Sequence, residues 1–182
     1  MDNRFEMRLT GSGGQGVILG AIILAGAALM AGYETAQSQS YGPEARGGMC
    51  KAEVIVSKSK IGYPKVANPA LLLALTQEAL DKYSKGGSDK CTVIADSSLT
   101  LPEYLNTANV IHIPILDTAT NVVGKSITAN VVAIGAICSA IKFISAEHIR
   151  EATLMQVPKA FAAMNLNALK AGMDLVAAKK EE

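Results

Sequence analysis

Apolar residues in this chain fall into blocks of strand length and helix length that alternate along it. Phe5 to Thr10 is a short strand-like run, and after a glycine-rich turn the stretch from Gln15 to about Ala31 is apolar almost without interruption. Gly16, Gly20 and Ala27 give that helix small surfaces for close packing, and Gly32 ends it. Tyr33 to Ala36 reads as a short strand, whereas Gln37 to Gly48 has no apolar periodicity and reads as a long loop of the kind that is usually functional. Ala52 to Ser57 is a strand, and Pro64 and Pro69 then break the chain. Leu71 to Leu75 is a continuous apolar run, with Thr76 as N-cap for a short helix through Tyr83. Cys91 to Ala95 and Val110 to Ile115 are further buried strands, separated from the earlier elements by a loop over Lys85 to Asp89.

The final third is helical. Thr128 or Asn130 caps a helix from Val131 to about Ile144 that is apolar nearly all round. Ser145 caps a shorter helix through Leu154. Pro158 starts another, which continues from Phe161 to Ala178 with Leu166, Leu169, Met173 and Val176 on its apolar face. Buried strands alternating with helices predict an α/β fold, three layers α/β/α, around a mostly parallel sheet with room for a mixed arrangement. The spacing contains no repeat and no linker, so residues 1–182 are expected to form one domain.

Composition narrows the function classes. Hydrophobic residues make up 49% of the 182 and charged residues 18%, with no Trp, so the core is aliphatic and some apolar surface is expected to meet a partner. Net charge is +1 and no stretch clusters basic with aromatic residues, which argues against nucleic-acid binding. Val17 to Ala31 is too short to span a membrane, and the acidic residues and glycine turn ahead of it do not suit a signal peptide. Cys50, Cys91 and Cys138 are widely spaced and lie in apolar surroundings, as expected of reduced, buried thiols in a cytoplasmic protein.

Candidate chemistry centres on Gly11, Ser12, Gly13, Gly14, Gln15 and Gly16, which form a turn between strand and helix. Glycines there permit close approach of backbone to a ligand or neighbouring chain, and the first N–H groups of the helix favour an anion. The Gly-x-Gly-x-x-Gly spacing also suits a dinucleotide, but that reading needs an acid at the end of the second strand, and Glu34 stands at its start. His112 and His148 have no partner arranged for catalysis or metal binding. Asp96, Glu103 and Asp117 follow strands, where caps and loop residues are common. No catalytic residue and no metal set is assigned.

The glycine turn with Val17, the stretch Gln37-Ser38-Gln39-Ser40-Tyr41-Gly42-Pro43-Glu44-Ala45-Arg46-Gly47-Gly48, Tyr63-Pro64, and Leu72-Leu73-Ala74-Leu75-Thr76-Gln77-Glu78-Ala79 together resemble the gamma subunit of 2-oxoacid:ferredoxin oxidoreductases. The second stretch is more similar to the 2-oxoglutarate branch than to the pyruvate branch. The resemblance implies an accessory subunit of a multi-subunit enzyme that oxidatively decarboxylates a 2-oxoacid, passes the acyl group to coenzyme A and reduces ferredoxin or a similar acceptor. It also implies that thiamine diphosphate, Mg²⁺ and iron–sulfur clusters sit on partner subunits, none being held by this chain alone. Gly11 to Gly16, Ser40, Tyr41, Gly42 and Arg46 are then candidates for the coenzyme A channel or the subunit seam that closes it, since backbone N–H groups and a guanidinium both suit phosphate. Two readings stand beside this one: a free-standing dinucleotide-binding oxidoreductase domain, and a pure assembly scaffold.

Overall fold

The computed structural model describes residues 4–41, 48–85, 88, 90–105 and 109–179, with the side chain of Tyr41 excluded. Six strands form one sheet in the order β2-β3-β1-β4-β5-β6. They are β1 (Arg4–Ser12), β2 (Glu34–Tyr41), β3 (Met49–Ser57), β4 (Leu71–Ala74), β5 (Thr92–Asp96) and β6 (Val110–Ile113). β1, β4, β5 and β6 run parallel, and β3 pairs antiparallel with both β1 and β2. The sheet is therefore mixed.

One of the strands departs from the pattern-based expectation. Gln37 to Tyr41, expected as loop, continues β2 along the edge of the sheet, with Gln37 opposite Val54 and Tyr41 opposite Cys50. Polar residues carry no period that marks a strand, but an edge strand with a solvated side needs none, because its ladder to β3 satisfies the backbone. Elsewhere the differences are at boundaries. β6 stops at Ile113, and Pro114 leads into α3 (Ile115–Asp117) and a π-helical turn, Thr118–Val122.

The three layers are unequal. One face of the sheet is covered by α1 (Val17–Met30), α4 (Ala129–Ala140), α5 (Ala146–Gln156) and α6 (Ala162–Lys179). Met7, Leu9, Val54, Leu71, Leu73 and Ile94 point into that layer. Among the described residues the other face carries one helix, α2 (Gln77–Tyr83), over Leu72, Ala74, Val93 and Ala95. Across β1, β3 and β2 that second face is polar. Arg8 Nε and Lys51 Nζ both contact Glu53 Oε1, at 2.8 and 3.1 Å, and the guanidinium lies 5.5 Å from the Tyr83 ring centroid. The coil after β3 completes the cover: Arg8 donates to the Val66 carbonyl, and Glu6 accepts from the backbone N–H groups of Ala67 and Asn68.

Helix α4 is buried on all sides from Ala129 to Cys138, as its all-round apolar pattern predicts. It begins two residues earlier than expected and ends at Ala140 rather than near Ile144. Its closest neighbour is α6. A Cβ added at Gly172 would strike the Val132 carbonyl, and one added at Gly135 would strike the Leu169 carbonyl while lying 3.0 Å from Gly172 Cα. Reciprocal glycines thus set this helix crossing. Ser145 caps α5 as expected, its hydroxyl accepting from His148 N–H at 3.2 Å, whereas Thr76 and Thr128 occupy N-cap positions without a side-chain capping bond.

Candidate functional site

The glycine turn lies at the carboxyl end of β1, beside β4, where the chain's path switches from one half of the sheet to the other. From β1 the chain passes through α1 to the β2-β3 side, then returns to build β4, β5 and β6 on the opposite side. Open α/β sheets place ligands in the crevice at such a point. The turn itself is tight. Gln15 Oε1 accepts from Ser12 N–H at 2.8 Å, and Gln15 N–H donates to the Ser12 carbonyl at 3.2 Å. Gly14 and Gly16 hold φ of 99° and 71°, the left-handed region in which a Cβ is strained. Gly16 is also packed, since a Cβ there would lie 2.6 Å from Asn130 Nδ2.

Two stretches far apart in the sequence meet here. Gly13 N–H donates to the Gly48 carbonyl at 2.9 Å, which joins the glycine turn to the end of the Gln37–Gly48 stretch. The strand register does the same for the other end of that stretch. Cys50 pairs with Gly11 on one side and Tyr41 on the other, and Lys51 pairs with Thr10 and Ser40. Gly11 and Tyr41 are thus two strand spacings apart, roughly 10 Å, at one end of the sheet. Ser40 is exposed there. Gly42 and Arg46 lie outside the described residues.

Beside the turn is an open cleft of about 470 Å³. Gly14, Gly16 and Leu19 form one wall, Lys125, Ile127 and Asn130 a second, and residues 156–165 the third. The starts of α1 and α4 and of the 3-10 turn Lys159–Phe161 all converge on it. Asn130 reaches from the first turn of α4 to donate to the Gly16 carbonyl at 3.3 Å, tying two walls together. The lining is mainly apolar, and among the described residues Lys125 is its one charged member. Sequence reasoning weighed Asn130 only as a helix cap and passed over Lys125, because nothing local in residues 116–127 announces a contact with residue 16.

Asp96, Asp117, His112 and His148 have structural partners, and Glu103 is exposed. Asp96 is 1% exposed and accepts from Ser98 N–H, Ser98 Oγ–H and Leu116 N–H, at 3.0, 2.5 and 2.8 Å, so it pins the turn after β5 to α3. His112 Nε2 is 3.1 Å from the Leu99 carbonyl, and His148 Nδ1 is 3.0 Å from the Ser145 hydroxyl. Asp117 accepts from Asn121. Glu34 opens β2 level with Arg4, each paired with Ser57, at the end of the sheet away from the glycine turn. Eight residues of strand, roughly 26 Å, separate it from the turn, so the glycine–acid geometry of a dinucleotide site is not formed.

All three thiols are buried and free, and they sit on separate elements: Cys50 on β3, Cys91 before β5 and Cys138 in α4. Burial pushes each above the usual thiol range; at Cys91 a backbone hydrogen bond and the Arg8 charge act weakly the other way. An iron–sulfur cluster needs several converging thiolates, and these residues do not fit one. Among the described residues no group of three or more His, Cys, Asp or Glu is placed to hold a metal ion, and no helix is long and apolar enough to cross a membrane.

The fold and the site define the class: a mixed six-stranded α/β unit with a glycine turn at the switch point of its sheet. The chain belongs to the pyruvate ferredoxin/flavodoxin oxidoreductase family, which it matches over residues 6–175. It is 39% identical to the 2-oxoglutarate synthase subunit KorC of Methanocaldococcus jannaschii, over 94% of each chain. The keto/oxoacid ferredoxin oxidoreductase gamma subunit of Geobacter sulfurreducens is 40% identical and superposes with a TM-score of 0.85, over 96% of this chain and 97% of that one. The fold also recurs, at 21% identity and a TM-score of 0.86, within 32% of a longer chain, the 2-oxoglutarate:ferredoxin oxidoreductase of Magnetococcus marinus. The resemblance carried by the two glycine-rich stretches, Tyr63-Pro64 and Leu72 to Ala79 is correct.

Proposed function

We propose that this chain is the gamma-type subunit of an enzyme that oxidises 2-oxoglutarate, transfers the succinyl group to coenzyme A and passes electrons to ferredoxin or a similar acceptor. Its own part is to form a wall of the coenzyme A path. The observation that carries this reading is the meeting of the two glycine-rich stretches, through Gly13 N–H and the Gly48 carbonyl, beside an apolar cleft with one cation. An apolar channel with a positive group near helix starts suits a ligand with a long neutral arm and phosphates. The 39% identical relative that is a 2-oxoglutarate synthase subunit supports the choice of 2-oxoacid.

Thiamine diphosphate with Mg²⁺ and the iron–sulfur clusters belong in this reading to the companion subunits. They supply the carbanion chemistry and the electron path, while residues of this chain bind and orient coenzyme A and exclude water. In the assembled enzyme, Lys125→Ala and Arg46→Ala are each expected to raise the apparent KM for coenzyme A several-fold. Decarboxylation driven by 2-oxoglutarate alone should continue at its normal rate. Unchanged coenzyme A kinetics in both variants would remove the channel role and leave assembly as the function of the site.

A further inference from the structure

The cleft is rimmed by apolar side chains that the fold holds outward. Ile127 is 73% exposed on the 3-10 turn Ser126–Thr128, Val122 is 72% exposed at the end of the π-helical turn, and Phe161 is 53% exposed just before α6. Met155, at 70%, lies next to Gln156 of the cleft wall. Met164 lines both the cleft and the neighbouring groove that contains Val122, so the rim is continuous. The backbone enforces this display: Gly124, at φ 82°, turns the chain between Val122 and Ile127. Among the described lining residues, charge on this surface is confined to Lys125 in the cleft and the paired Lys170 and Asp174 in the neighbouring groove, and the exposed apolar side chains around them have the composition of an interface core.

The related structures show this fold both as nearly a whole chain and as part of a longer one. The same fold is nearly the whole of the Geobacter sulfurreducens chain but 32% of the Magnetococcus marinus chain, where it is joined to a larger body. Where that body is a separate chain, the attachment must be made by a noncovalent surface. Resting on the subunit role above, we propose that the rim formed by Val122, Ile127, Met155 and Phe161 is the docking surface for the companion chain that corresponds to that larger body. The companion sits over the cleft and closes it, presenting a mainly apolar face to the rim. The outer stripe of α1, with Ile22 and Leu29 exposed by 38% and 58%, is the competing apolar surface, and it leads away from the motif-bearing end of the sheet.

The test co-expresses the full chain with its companion subunits, captures on a tag carried by the companion chain, and measures the stoichiometry and affinity of the recovered complex. Ile127→Glu and Val122→Lys should each weaken retention at least tenfold, while Leu29→Glu is retained as wild type. Far-ultraviolet circular dichroism and thermal midpoints equal to wild type show that the substituted chains are folded; both positions are highly exposed, and a third rim variant, Phe161→Ser, covers the case in which one is not. Wild-type retention of the rim variants, or loss on Leu29→Glu alone, would overturn the assignment. So would a wild-type chain that is dimeric in light scattering and becomes monomeric on Ile127→Glu, which would give the rim to a second copy. If the wild-type chain itself is not captured, the subunit role fails and the docking surface falls with it.

Discussion

Replacing Gly172 by alanine tests the packing that holds the helical layer together. A Cβ at this position would strike the Val132 carbonyl oxygen and lie 2.8 Å from its carbon and 3.1 Å from Ala136 N. These are backbone atoms of α4, so no rotamer change relieves the clash and the helices must separate by roughly 1 Å. Over a contact patch on the order of 100 Å² that opens about 100 Å³ of poorly filled space, which at about 24 cal/mol per Å³ costs roughly 2.4 kcal/mol. Weakened Cα–H···O contacts add about 0.5–1 kcal/mol. Alanine's better helix propensity returns about 1 kcal/mol, leaving a net loss of about 2 kcal/mol. For a chain of this size the midpoint should fall by about 4–8 °C in thermal unfolding of the full chain. Gly26→Ala supplies the opposite sign. Its Cβ would meet Ala152 Cβ at 3.7 Å, an ordinary contact, so the same substitution should stabilise by up to about 1 kcal/mol. If Gly172→Ala proved neutral or stabilising, the close α4–α6 crossing would be wrong.

Two further outcomes follow from buried groups. Asp96→Asn keeps the size of a side chain that is 1% exposed but removes the charge from three hydrogen bonds and turns one acceptor into a donor facing N–H groups; chemical denaturation should show a loss of about 2–3 kcal/mol. The thiols of Cys50, Cys91 and Cys138 are held above the usual range by burial, so the folded chain keeps protons that the unfolded chain releases. Stability from this source is fully present below the ordinary thiol pKa of about 8.5 and declines as pH rises through the folded values. Denaturation midpoints should fall above that pH, and a variant with all three cysteines replaced by alanine should lose this component; an unchanged slope would show that the thiols do not contribute to it.

Much of the architecture could be read from local pattern. The uninterrupted apolar run of Val17–Met30 announces a packed helix, Leu71–Leu73 a strand buried on both faces, and Ser145 followed by Glu147 and His148 a capped start. These signals are local because side-chain period and capping act over a few residues. The polar half of β2 escaped them. Its partner is β3, and only the ladder from Gln37 opposite Val54 to Tyr41 opposite Cys50 makes it a strand.

By itself the sequence determined the family, the alternation of strands and helices, the aliphatic core and the two glycine-rich stretches. Each of those depends on residue type and on spacing along the chain. Only the tertiary structure decided that the two stretches touch through Gly13 and Gly48, that Asn130 reaches Gly16 across 114 residues, and that Lys125 lies in the same cleft. It also placed Glu34 at the far end of the sheet, removing the dinucleotide geometry. The physical reason is strand order: inserting β3 antiparallel between β1 and β2, with β4 on the other side of β1, sets which ends of the sheet meet, and no local pattern encodes that order.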